Sequence, residues 1–174
     1  MFKKTLYSDQ VEIHAPQQWV WSILIDLERY GEWNPFTYRV DSTLEIDAPV
    51  DLYVRMPIRG DRVQTEYVRI VEFPSTLAWG MHMGSRLLLK AQRQQQLDGV
   101  SATCCRYQTW DAFSGMLTPV VTGLFDADIV NGFNRMAYAL KVRAETTWQA
   151  SKTANNPSSD TVQPTHPSTL FVPS

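Results

Sequence analysis

The chain has 174 residues, 44% of them hydrophobic, and a formal net charge of −2 from 16 basic and 18 acidic residues. That length suits one domain with material to spare. The charge is not gathered into blocks, which argues against an electrostatically driven nucleic-acid binder, since such proteins carry a basic stripe.

Six Trp, seven Tyr and seven Phe favour a fold with large inward surfaces, either filled or lining a pocket. Residues 1–9 have no apolar h-region, so no signal peptide is expected. No apolar run approaches the ~18 residues that read as a transmembrane helix. Cys104 and Cys105 are adjacent. In a strand they point to opposite faces and are poorly placed to bridge each other. Free thiols fit a reducing cytosol, so a cytoplasmic protein is expected.

Residues 3–13 read as a first strand, with Tyr7, Val11 and Ile13 on one face and Ser8, Gln10 and Glu12 on the other. His14-Ala15-Pro16 breaks it, and Pro16 can open a helix at its first position. Val20, Ile23, Leu24 and Leu27 follow at helical spacing, flanked by Trp19 and Trp21. Asp26 caps a short second helix that ends at Gly31, since glycine commonly stands just past a helix end. In Glu32-Trp33-Asn34-Pro35-Phe36, Pro35 pushes Asn34 into an extended conformation, so two aromatic residues sit on a constrained loop.

Strands separated by turn signals follow. They cover 38–44, 50–58, 62–72, 77–82, 86–97 and 101–110, with turns at Asp47-Ala48-Pro49, Arg59-Gly60-Asp61, Pro74-Ser75 and Asp98-Gly99. In 62–72 the apolar phase slips near Tyr67-Val68, which a β-bulge explains. Residues 118–149 then form the last helix, with Thr118 as N-cap and Pro119 in the first position. Ile129, Phe133, Met136, Ala137, Leu140 and Ala144 give it one apolar face. About 30 residues make a helix about 45 Å long. Gly132 costs ~1 kcal/mol relative to Ala inside a helix. It permits a bend or leaves room for a ligand, and Gly123 separates a first turn from the main helix. Residues 151–174 hold four Pro, five Ser and four Thr, a disordered tail by composition. The folded domain is therefore 1–150.

This order of elements predicts an α+β fold. A curved, seven-stranded antiparallel sheet wraps a long C-terminal helix, with two short helices between the first two strands and a cavity between helix and sheet. Strand parity does not decide which faces line that cavity. Trp79, Tyr67 and Tyr107 therefore face either the cavity or solvent. If Leu87, Leu89, Ala91, Gln95 and Leu97 face inward, Arg93 enters the cavity with them and can hold a ligand carboxylate or carbonyl. If they face outward, Arg93 is solvated.

Phe133 and Met136 are either an adaptable binding wall or plain core. Trp33 and Phe36 either gate and line the entrance or close the core. His82, near the rim, is the acid–base candidate, with Arg93 and Tyr67 beside it. Asp126-Ala127-Asp128 reads as helix N-terminal charge rather than a metal site. The chain has no Gly-x-Ser-x-Gly, His-Glu-x-x-His or Cys-x-x-Cys and no glycine-rich phosphate loop, so neither metal nor cofactor is expected.

Ile13-x-Ala15-Pro16-x-x-Trp19-Val20-Trp21, then Asp26, then Tyr30-x-x-Trp33-Asn34-Pro35-Phe36 resembles the opening of the SRPBCC superfamily, the START-like, Bet v 1-like and polyketide-cyclase-like proteins. Residues 113–119 and Ala139-Leu140-Lys141-x-x-Ala144-Glu145 resemble its closing segment. The resemblance implies the helix-grip fold and a deep hydrophobic cavity, but fold alone does not choose the function. The leading expectation is binding or carriage of a small, mostly hydrophobic, lipid- or polyketide-like molecule. The alternatives are a cofactor-independent polyketide cyclase/dehydratase-type enzyme and a protein-interaction module. The expected partner is a small hydrophobic molecule rather than nucleic acid, bound by a monomer or weak homodimer.

Overall fold

The structure, a computed structural model, describes residues 1–56, 59–85 and 87–155. In chain order it comprises β1 (Phe2–Tyr7), β2 (Val11–Ile13), α1 (Gln17–Ile25), a 3-10 turn (Leu27–Arg29), α2 (Tyr30–Trp33), β3 (Thr37–Asp41), β4 (Pro49–Met56), β5 (Gly60–Glu72), β6 (Thr76–Met83), β7 (Leu89–Ser101), β8 (Cys104–Gly115) and α3 (Thr118–Asn155). The strands form one curved antiparallel sheet in the order β1-β8-β7-β6-β5-β4-β3, and β2 also pairs with β8. The expected helix-grip architecture is present.

Period-two burial makes the sheet one-sided. Val50, Leu52, Val54 and Met56 of β4 face inward, while Asp51, Tyr53 and Arg55 do not. α3 lays Ile129, Phe133, Met136, Ala137, Leu140 and Ala144 against that inner face, all buried. It spans 38 residues, or ~57 Å at the usual rise. No helix among the described residues is long and apolar enough to cross a membrane.

Several boundaries differ from the sequence reading, each for a local reason. The first strand splits at residues 8–10, where buried Ser8 bonds Thr109 instead of continuing the ladder. The break changes the phase, so Leu6 is buried and Tyr7 is exposed beside Trp110. Pro16 is the N-cap of α1 rather than its first residue, and its carbonyl accepts from Trp19 and Val20. Helical structure passes through Gly31 to Trp33. β7 runs through Asp98-Gly99 to Ser101, which puts the hairpin turn at residues 102–103, and β8 continues past Trp110 to Gly115. The slip in β5 is a register shift between Val68 and Ile70.

α3 is unbroken at Gly123, and the Thr118 hydroxyl is buried without a hydrogen-bond partner, so it does not cap the helix. The helix also continues beyond residue 150 to Asn155. The rest of the tail, 156–174, lies outside the described residues. So do 57–58 at the end of the expected fourth-strand segment and Arg86 at the start of the 86–97 strand.

Gly132 serves a packing purpose. A Cβ there would lie 2.1 Å from Cδ2 of Phe36. The space it leaves is occupied by that ring, not by a bend or a ligand.

Candidate functional site

One cavity of about 380 Å³ lies between α3 and the sheet. Its helix wall is Val121, Phe125, Ile129 and Phe133, at the spacing of four that stacks side chains on one helix face. Facing it, Arg62, Gln64 and Glu66 of β5 alternate inward at the strand period. Leu52, Val54 and Met56 from β4 and Met81 and Met83 from β6 complete an otherwise apolar lining.

Burial increases along each wall in the same direction. Val121 and Phe125 are half-buried, whereas Ile129 and Phe133 are buried. Arg62 and Gln64 are half-buried and Glu66 is buried. Met83 is exposed, Met81 half-buried and Trp79 buried. The cavity therefore opens beside Phe125, Arg62 and Met83 and ends near Phe133.

At that closed end three ionisable side chains converge. The β7 face carrying Leu89, Ala91, Gln95 and Leu97 points inward, and Arg93 with it, only 4% exposed. Its guanidinium lies over the rings of Phe133 (4.6 Å) and Phe36 (5.6 Å). Nη1 donates to Thr37 Oγ1 at 3.4 Å and Nη2 to Met136 Sδ at 2.9 Å. Nε has no partner. Asp111 stands opposite Arg93 in the β7–β8 register. Glu66 accepts from Gln64 Nε2 at 2.7 Å through Oε1. Among the described residues, neither carboxylate forms an ion pair within 4 Å, and Asp111 Oδ1 and Glu66 Oε2 are buried without a hydrogen-bond partner. Buried polar atoms are normally satisfied, so three side chains with open polar positions at one cavity end set this region apart from ordinary core.

Burial controls the ionisation of both acids. It pushes the Glu66 carboxyl up to about 8, the neighbouring Asp111 charge adds to the rise, and Arg93 and the Gln64 bond oppose it. Burial also raises Asp111, to about 6, against the Arg93 charge and a backbone hydrogen bond from Gln92. Both carboxyls are thus raised, Glu66 the more, and they titrate as a pair, so one can hold a proton while the other is ionised. Environments that separate the protonation states of two neighbouring groups define an acid–base pair.

The residues singled out from the sequence fall into two groups. Phe36, Arg93 and Phe133 line the closed end. Met136 lies beneath them and touches Arg93 rather than the open space. Tyr107 is fully buried below the floor, its hydroxyl donating to Gln95 Oε1 at 2.9 Å, and burial pushes that hydroxyl's pKa far above its ordinary value. Trp79 is inward and buried but is not part of the cavity wall.

Three of the candidate residues, His82, Tyr67 and Trp33, lie away from the cavity. His82 is exposed on the outer face of β6, in a depression with Arg69 and Lys90. Tyr67 is 42% exposed, next to Arg69. Trp33 packs on Tyr30, centroids 5.1 Å apart, away from the cavity. The Trp-Asn-Pro-Phe loop thus closes the deep end instead of forming the entrance. Asn34 holds it, accepting from the Phe36 and Thr37 amides through Oδ1.

Glu66 and Asp111 were missed. The signal for Glu66 was its even spacing from Val68, which is buried just before the bulge. Asp111 lay one residue past the assigned strand end. Away from the cavity, Glu12, His14 and Cys104 each offer a ligand atom within 4.8 Å of the others. Glu12 also lies 3.7 Å from Arg106. Asp126 pairs with Lys4.

No family model matches the sequence, and no curated protein matches it. Solved structures do. The Zhui aromatase/cyclase from Streptomyces sp. R1128 is 15% identical, with 86% of this chain and 98% of that one covered and a TM-score of 0.70. A point mutant of norcoclaurine synthase from Thalictrum flavum is 12% identical, with 84% and 96% covered and a TM-score of 0.63. A START superfamily protein from Mycobacterium smegmatis is 18% identical, with 82% and 98% covered and a TM-score of 0.61. The chain shares the helix-grip fold of these structures.

Proposed function

We propose that this protein binds a small, mostly apolar carbonyl compound in the cavity and moves a proton on it without a cofactor, as an enzyme of the cyclase/dehydratase type. One observation carries this reading: Glu66 and Asp111 meet Arg93 at the closed end of an otherwise apolar cavity. The Asp111 carboxylate removes a proton from the carbon next to the carbonyl. Glu66 and Arg93 donate to the carbonyl oxygen as negative charge develops there. Such chemistry needs only a shaped pocket and two tuned groups. An aromatase/cyclase and a norcoclaurine synthase among the similar structures support it as precedent for enzymes on this fold. The free thiols are in keeping with a reducing, cytoplasmic setting.

Exchange of α-protons for deuterium in aryl ketones, followed by proton NMR in D2O, tests the proposal. The wild-type protein should accelerate exchange. Asp111→Asn and Glu66→Gln should each slow it by about a hundredfold or more while ketone binding persists. Binding without accelerated exchange in the wild type would leave carriage as the function. Carriage is the second reading, favoured by the apolar walls and by Met56, Met81 and Met83 along them.

A further inference from the structure

The open end of the cavity has a polar feature that proton transfer at the closed end does not use. Arg62 and Arg59 both place their guanidinium groups over the ring of Phe125, at 4.6 and 5.0 Å. Arg62 is half-buried in the lining, and its Nε is shielded from solvent with no hydrogen-bond partner. Arg59 is exposed, and its Nε donates to the Leu124 carbonyl at 2.9 Å. Among the described residues neither guanidinium enters an ion pair. The acids beside them are engaged elsewhere, Asp61 with Arg55 at 3.6 Å and Asp126 with Lys4. Stacking on one ring holds the two forks in place, so little side-chain freedom is lost when they take up an oxyanion.

We infer that the cavity's ligand is an elongated amphiphile with an anionic group, a carboxylate or phosphate, held at the rim by Arg62 and Arg59 while its neutral polar end reaches Glu66, Asp111 and Arg93. This rests on the reading that the cavity takes an apolar molecule, and it adds the charge and orientation of that molecule. The polarity of the two ends sets the orientation. At the closed end Arg93 already faces the carboxyls of Asp111 and Glu66, and an anion there would compete with them for its charge. At the rim the two cations lack such a counter-charge. Arg62 and Glu66 lie four residues apart on β5, about 13 Å at ~3.3 Å per residue. Gln64 lies midway between them on the same face and gives a polar stripe opposite the apolar stripe of α3.

Calorimetric titration of the full chain with decanoate, decyl phosphate and decan-1-ol tests this. Both anions should bind about tenfold or more tightly than the alcohol, as charge-assisted bonds are the stronger ones. Added salt should shrink the difference. Arg59→Gln combined with Arg62→Gln should abolish it, bringing the affinities of both anions down to that of decan-1-ol. In the wild-type protein, decanoate should shift the Nε–H NMR resonances of Arg59 and Arg62, a readout independent of whether the variant folds. Equal affinity for decanoate and decan-1-ol would overturn the inference. So would an anion preference that survives the double substitution but disappears in Arg93→Gln. Binding of decan-1-ol without anion preference contradicts the rim site alone. Failure of all three probes to bind contradicts both the rim site and the cavity reading.

Discussion

Glu66, Asp111 and Arg93 are each less than a tenth exposed, and buried ionisable groups oppose folding unless paired. A carboxyl whose pKa is raised in the folded state binds more protons folded than unfolded, so stability falls as pH rises. For Glu66 the loss begins near its ordinary value of 4.5 and is complete above about 8. For Asp111 it runs from 3.8 to about 6. Glu66→Gln keeps the shape and removes the titration. Thermal melts of this variant should therefore show a gain of several kcal/mol over wild type at pH 8.5 and little difference at pH 4. Each kcal/mol corresponds to about 2–4 °C for a chain of this size. An equal offset at both pH values would mean that folding leaves the Glu66 pKa unshifted.

At the scale of elements, α3 and the loop before β3 are fitted to each other. Alanine at 132 would gain about 1 kcal/mol in helix propensity, but its Cβ would meet the Phe36 ring at 2.1 Å. Phe36 cannot easily retreat, being set edge-on to Phe133 with centroids 5.7 Å apart and fixed at its amide by Asn34. Overpacking should win, and Gly132→Ala should cost about 1–3 kcal/mol in urea unfolding. Phe36→Leu in the same chain should recover part of that loss, with non-additive energies in the double-mutant cycle.

The same elements explain what the sequence disclosed. α3 and β4 were legible because their faces are cleanly periodic. β5 was legible only up to its bulge, where a shift of one residue exchanges inner and outer faces. Glu66 and Tyr67 both precede the bulge on opposite faces, and Glu66 shares the inner face of Val68. β7 could not be oriented from its own residues, since Arg93 and the glutamines interrupt both faces. Its pairing with β6 and β8 orients it, and that is a property of the sheet. Asp98-Gly99 reads as a turn, yet the ladder continues through it to Ser101.

For the whole molecule, burial graded from Phe125 to Phe133 makes a cavity with one open and one closed end. In the proposed function, the apolar walls take up the ligand and the polar groups at the closed end act on it. The fold accounts for the cavity but not for its chemistry. Titrating the carboxyl carbons of the free protein by 13C NMR requires no substrate and tests the acid–base site directly. Glu66 should titrate near 8 and Asp111 near 6, and Asp111→Asn should lower the Glu66 value by removing the neighbouring charge. Two carboxyls titrating together in the ordinary range near 4, unaffected by each other's substitution, would contradict an acid and a base poised side by side in the cavity.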